Sequence, residues 1–310
     1  MIQPLQFFTP DDLPPEILVY EKKLRTLDVG MAGKVGALHV ELEKDSFNDK
    51  TIIKTQYSKV PLYLGRALYY EEALPSMAYL YIVSPSGGIL QGDRYRMDII
   101  LRNNAIAHIT TQGATRIYNM NANFATQLIN VTVDNGCYLE FIPDQIIPYR
   151  NSRFYQKLNL KVHDNATMIY SEMIVPGRVA MNESFEYDIC YLRAVGKNQN
   201  DKLRFIDTAL LEPKKQSLEK ICILGTKKVV GSIYILTPKE HVDYLNEEIN
   251  TNSENNPVFS AKSSILPNYN GLLVRILGEL AEEVKLDIYE VVKLIRKKIL
   301  NAPFSGIRKN

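Results

Sequence analysis

The chain has 310 residues, 45% of them apolar and 23% charged, with 19 Tyr, 10 Phe and no Trp. That composition belongs to a folded protein with a sizeable core and argues against a disordered chain. Its 37 basic and 35 acidic side chains leave a formal charge of +2, so no overall field draws it to nucleic acid or to anionic lipid. Cys137, Cys190 and Cys222 are few, odd in number and far apart, with no CxxC pair, which predicts reduced, buried thiols. The start MIQPLQFF lacks a basic segment followed by an apolar one, and no apolar run reaches about 18 residues. A cytoplasmic protein that does not span a membrane is expected.

Residues 1 to about 28 mix Pro4, Pro10, Pro14 and Pro15 with one short amphipathic stretch, EILVYEKKLRTL. We expect an N-terminal arm over 1–35, packed as a helix or irregularly, ahead of a single β-rich domain over 36–310. From Gly36 the texture changes to short runs rich in Tyr, Ile, Val and Thr: GALHVEL, TIIKTQY, PLYLGRALYY, AYLYIVS, RYRMDIIL, AIAHITTQ, QLINVTV, CYLEFIP, LNLKVH, TMIYSEMIV and YDICYLRAV. These read as strands, with tight turns at Asn135–Gly136 and Asp164–Asn165. Their spacing, with few helical periods between them, predicts packed antiparallel sheets and not a doubly wound fold. KICILGTKKVVGSIYILTP predicts two or three more strands, and the Asn-rich HVDYLNEEINTNSENNP an exposed helix end and loop. Leu280, Val284, Ile288, Val291, Val292, Leu294, Ile295 and Ile299 then recur at helical spacing, so C-terminal helices are expected over about 240–300.

The densest candidate for chemistry is SPSGGILQGDRYRM, where Gly87, Gly88 and Gly92 permit positive φ or close backbone approach and a fixed backbone presents Asp93. Neither GxGxxG nor GxxxxGK[ST] is present, so a phosphate cradle is unsupported and a plain hairpin turn stays open. In TTQGATRIYNM, Thr110, Thr111 and Arg116 surround Gly113, an arrangement open to anion binding or to a simple corner. Further on, Asp144 sits between Pro143 and Pro148, which suit edge or loop positions. Glu172 falls inside an apolar strand in YSEMIVPGRVAMNESF, where a carboxylate needs a cation or an ion pair; Arg178 and Arg150 are the available partners. His39, His108, His163 and His241 never approach a metal spacing, and no GxSxG elbow exists, so no catalytic residue is assigned.

In this order, PLYLGRALYYEE, YLYIVSPSGGILQGDRYRM, ITTQGATRIY, LEFIPDQIIPY and SEMIVPGRVAMNESF resemble successive signatures of the UreD (UreH) family of urease accessory proteins. The similarity runs from about Gly36 through GLLVRILG to the C-terminal helix, and departs from the family in SPSGG and in PDQ. It implies a mostly β fold with stacked antiparallel and partly β-helical sheets and a C-terminal helical portion. It also implies a chaperone without catalytic activity, acting with UreF and UreG on apo-urease during nickel insertion. In that reading no cofactor is tightly bound, and nickel(II) is cargo moving through a passage lined by oxygen donors, which release it more readily than thiolates or clustered imidazoles do. The resemblance carries the nickel passage onto Asp93, Glu172 and Asp144, with Ser84, Gly87, Gly88, Gly92, Thr110, Thr111, Arg116 and Arg178 as lining or loop residues. The C-terminal helix is a further expectation as a UreF docking face, against plain core packing. Two other classes remain at this point: a metal-dependent hydrolase or lyase using Asp93, Glu172 and His108, and a structural or carbohydrate-binding β-domain, against which the lack of Trp counts.

Overall fold

The structure is a computed structural model that describes residues 4–22, 33–220 and 223–307. Cys222 lies outside the described residues, as does the end of EILVYEKKLRTL. The arm carries two single turns, α1 (Leu5–Phe8) and α2 (Pro15–Leu18). The body begins with β1 (Val35–Lys44), β2 (Thr51–Lys59), β3 (Tyr63–Leu64), β4 (Ala78–Val83), β5 (Arg94–Arg102), β6 (Ile106–Thr111), β7 (Thr115–Ile117), β8 (Ala125–Val133) and β9 (Tyr138–Phe141). It continues with β10 (Ile146–Pro148), β11 (Arg153–Val162), β12 (Thr167–Ile174), β13 (Ile189–Lys197), β14 (Leu203–Leu211) and β15 (Val229–Leu236). The C-terminal portion is α3 (Val242–Asn255), β16 (Lys262–Ile265), β17 (Leu272–Gly278) and α4 (Ala281–Leu300).

Two sheets stack face to face. The first runs β14-β13-β11-β8-β5-β1-β2 and the second β16-β17-β15-β12-β9-β6-β4-β3, with β7 and β10 attached at its side. The mostly β class with stacked, partly β-helical sheets and a helical C-terminus is therefore as expected, while the antiparallel direction expected from strand spacing does not hold inside the stack. The neighbours β1, β5, β8, β11 and β13 are parallel, as are β4, β6, β9 and β12. Antiparallel pairing is confined to the flanks, at β1–β2, β13–β14, β3–β4, β12–β15, β15–β17 and β16–β17. The reason is that the turns carry the chain across from one sheet to the other, so strands one full turn of the coil apart become lateral neighbours. The result is a solenoid. Successive turns lie on one another: Gly136, with φ +70°, sits where any β-carbon would overlap Asn104 of the preceding turn.

Leu38, Val40, Ile99, Ile129, Leu139, Leu158 and Met168 fill the space between the sheets. On the far face of the second sheet, α4 buries Val284, Ile288, Val291, Val292 and Ile295, and α3 adds Val242, Leu245 and Ile249. The apolar stripe of α4 is thus core, and the docking expectation for that face gives way to packing. HVDYLNEEINTNSENNP forms a full helix, because Val242, Leu245 and Ile249 put an apolar edge against the sheet. KICILGTKKVVGSIYILTP supplies one described strand, β15, preceded by turns. Among the described residues, no helix is long and apolar enough to cross a membrane. Cys137 and Cys190 are free and buried, and burial pushes the Cys137 thiol up to about 11.

Candidate functional site

The glycine loop is a crossover between sheets and not a hairpin: it leaves β4 in the second sheet and enters β5 in the first. Ile89 N–H donates to Arg116 O at 2.8 Å and Tyr118 N–H to Ile89 O at 2.9 Å, which ties the loop to β7. Gly88, with φ +156°, lies against Tyr118, where a β-carbon would sit 2.7 Å from the ring. Asp93 is fully buried at the loop's end. Its Oδ1 accepts from Gly33 N at 3.1 Å and Lys34 N at 2.9 Å, and its Oδ2 from Leu90 N at 2.9 Å and Tyr95 Oη at 3.1 Å. Burial raises its pKa, while the bonds to Leu90, Lys34 and Tyr95 oppose the rise. With four protein donors on two oxygens, Asp93 fastens the loop to the chain before β1, and it lines neither of the two cavities beside the loop.

Between the sheets, next to this loop, is a cavity of about 250 Å³ lined in part by Ser84, Ser86, Gly87, Gly88, Thr111 and Arg116. A second space of about 20 Å³, room for roughly one water, is lined in part by Thr111, Asp144, Gln156, Tyr170 and Glu172. The two share Met97, Thr111, Thr115 and Gln127, so they adjoin along one wall between the sheets and are together termed the channel. Its polar walls follow from register. Tyr95 of β5, Gln127 of β8 and Gln156 of β11 are lateral partners along one rung of the first sheet. Opposite them, alternation on β6 turns Thr111 towards the channel while Thr110 points away and donates to Ile142 O at 2.6 Å. Asp144 N–H donates to Thr111 Oγ1 at 2.9 Å, and Lys285 Nζ lies 3.8 Å from the Asp144 carboxylate.

Glu172, 5% exposed, closes the inner end. Its Oε2 accepts from Gln156 Nε2 at 3.2 Å, and its Oε1 is 3.2 Å from the Tyr234 hydroxyl, which also lies 2.6 Å from Asp207 Oδ2. Arg275 in turn pairs with Asp207 at 2.5 Å on the flank of the stack. Burial pushes the Glu172 carboxyl up to about 7; the Arg275 charge and the Tyr234 hydroxyl pull it down, and Asp207 adds to the rise. The expected ion pair with Arg178 or Arg150 is absent, because Arg178 is bound to Glu183 and Arg150 to Glu186 near the surface.

Of the residues singled out from the sequence, the fold brings Ser84, Gly87, Gly88, Thr111, Arg116, Asp144 and Glu172 to one channel. Asp93, Gly92, Thr110 and Arg178 do not reach it. His108 is also elsewhere: its Nδ1 is 2.6 Å from Glu140 Oε2 on the other face of the second sheet. Arg296 of α4, fully buried, grips the same carboxylate through Nε at 2.7 Å and Nη2 at 2.6 Å, and Glu71 through Nη1 at 2.8 Å. Burial pushes the Glu140 carboxyl up, but the hydrogen bonds from Arg296 and His108 prevail and hold it at about 2. Asp93, Glu172 and His108 therefore occupy three separate environments, and the hydrolase arrangement that would need them together does not form. Among the described residues, no three His, Cys, Asp or Glu side chains converge as a metal-ligand set. Sequence reasoning missed Gln127, Gln156, Tyr234 and the Glu140–Arg296 pair; for the glutamines, a polar residue at the inward parity of an apolar strand is the available signal.

The profile of the UreD urease accessory protein family matches residues 34–309. Over 286 residues the chain is 41% identical to a urease accessory protein UreD of Cenarchaeum symbiosum, covering 91% of this chain and 99% of that one. It is 35% identical over 288 residues to the Yersinia pseudotuberculosis urease accessory protein UreD, covering 92% and 89%. It is 35% identical over 289 residues to urease accessory protein UreD 2 of Brucella suis, covering 93% and 95%. UreD proteins are chaperone-type accessories and not catalysts. On the extent and identity of these matches, the chain belongs to the UreD family of urease accessory proteins.

Proposed function

We propose that the protein is a cytoplasmic chaperone for urease metallocentre assembly, acting as scaffold and nickel conduit in a complex with UreF, UreG and apo-urease. Nickel(II) is cargo in this reading, not a resident cofactor. It enters beside the Ser84–Gly88 loop and Arg116, passes Thr111, and reaches the carboxylates of Asp144 and Glu172. The observation that carries the reading is the shared wall of the two cavities, which sets the hydroxyl and amide oxygens of the outer one beside a buried carboxylate of the inner one. Hydroxyl, amide and carboxylate oxygens bind a borderline cation less tightly than thiolates do, which suits transfer better than storage. Asp93 serves the conduit by fixing the loop at its mouth, not by touching nickel. The test is urease activation in a reconstituted system of apo-urease, nickel and the accessory partners. Glu172→Ala should lower activation by about tenfold or more while the partners still co-purify. Full activation by an assembled Glu172→Ala complex would refute the role.

A further inference from the structure

The outer face of the first sheet, remote from the channel, carries a cation on four strands: Lys59 on β2, Arg96 on β5, Arg153 and Lys157 on β11, and Arg193 on β13. Residues 4–22 run across these strands and meet every one of those cations. Lys59 Nζ lies 5.3 Å from the Phe8 ring, and Arg96 stacks 4.0 Å from the Phe7 ring and donates to Phe7 O at 2.9 Å. Lys157 Nζ bonds Asp11 at 2.7 Å and Asp12 at 2.8 Å, Arg193 is 3.6 Å from Asp12, and Arg153 lies 4.5 Å from the Tyr20 ring. Two apolar pegs complete the contact. Phe8 is buried, and Ile17 fills a pocket made by Phe124, Tyr155 and Ile189.

This is the contact pattern of a bound peptide: side-chain pegs in pockets, with acidic and aromatic groups matched to a basic surface. The segment has little structure of its own, since α1 and α2 are single turns without side-chain caps, and turns of that length do not persist alone. The family profile begins at residue 34, downstream of the arm. We propose that the outer face of the first sheet is a docking site for an extended acidic, aromatic segment of a partner protein, and that residues 4–22 fill it in cis in the free chain. Charge complementarity selects the partner: adjacent carboxylates at Lys157, with an aromatic ring on one side and a branched aliphatic peg on the other.

The inference is independent of the channel and is tested without nickel. A labelled synthetic peptide of residues 4–22 is titrated, by fluorescence anisotropy, into the full chain and into its Asp11→Lys/Asp12→Lys variant, whose own arm is repelled by Lys157. Saturable binding to the variant is expected, with wild type at least about tenfold weaker, a difference of 1.4 kcal/mol, because its site is filled. Adding Lys157→Glu to the variant should abolish binding, and so should scrambling the peptide. A folded variant that binds no peptide, or binds the scrambled one equally well, overturns the proposal. Hydrogen exchange of the wild-type chain gives a second reading that needs no variant. The arm amides should exchange through local opening, well ahead of β8 and β11; exchange of the arm only with global unfolding would make it a permanent strap and also overturn the proposal.

Discussion

At the residue scale, Glu172 and Asp93 present two carboxylates with opposite provision. Asp93 receives four donors and has no vacancy for a cation. Glu172 receives one amide and shares one hydroxyl with Asp207, which leaves it short of hydrogen bonds for an ionised group in a buried place. Its folded-state value of about 7 lies above the ordinary 4.5, so the folded chain favours the neutral acid. Its contribution to stability is therefore fully present below about pH 4.5 and is lost as the pH rises through about 7. Glu172→Gln removes the cost of ionisation. In metal-free buffer it should be more stable than wild type at pH 8 by up to about 3 kcal/mol, and the difference should close by pH 5, as measured by urea denaturation at the two pH values. A gap that widens towards pH 5 would reverse the assigned sign. Glu172 was legible as an oddity because a charge inside SEMIV has no other ready account. Asp93 was equally visible, but nothing in GGILQGD announces that Gly33, Lys34 and Tyr95 will claim its oxygens.

At the element scale, α4 is held by more than its apolar stripe. Arg296 reaches through the packing layer to Glu140 on β9 and to Glu71 in the segment before β4, and it donates to Pro303 O at 3.3 Å in the C-terminal tail. Ser305 Oγ adds a bond to Glu71 at 3.1 Å, and the Arg296 guanidinium lies 4.6 Å from the Phe304 ring. Removing the cation leaves two buried carboxylates without their partner. Arg296→Ala should therefore cost about 3–5 kcal/mol and loosen residues 301–307, which chemical denaturation and limited proteolysis of the tail would register. A loss below about 1 kcal/mol, the range of an exposed pair, would contradict the buried-network account. None of this was readable along the chain. Glu140 and Arg296 are separated by 156 positions and meet only because β9 and α4 pack on the same sheet. The helical period of α4 was legible; that one of its basic residues turns inward was not.

At the scale of the whole molecule, most strands were legible because alternation and turn residues are local, although β7, β10, β14 and β16 fall outside the expected runs and PLYLGRALYY yields only the two-residue β3. The parallel direction was not, since a turn from one strand to its hairpin neighbour and a turn into the opposite sheet use the same residues, as Asn135–Gly136 does here. The channel depends on that direction. Only in a solenoid do Tyr95, Gln127 and Gln156, each from a different turn, stand side by side on one rung facing Thr111 and Glu172. Had β5, β8 and β11 been consecutive hairpin strands, the same parities would have dispersed these side chains. Family membership supplies the accessory role; the solenoid register sets these side chains along the proposed path. The most direct test of that path is to obstruct its neck without changing charge. Thr111 lies in the wall common to both cavities. With Thr111→Phe incorporated into the complex with UreF, UreG and apo-urease, and assembly verified by co-purification, nickel-dependent activation of urease should be lost. Activation at the wild-type rate by a fully assembled Thr111→Phe complex would mean that nickel does not travel between the sheets.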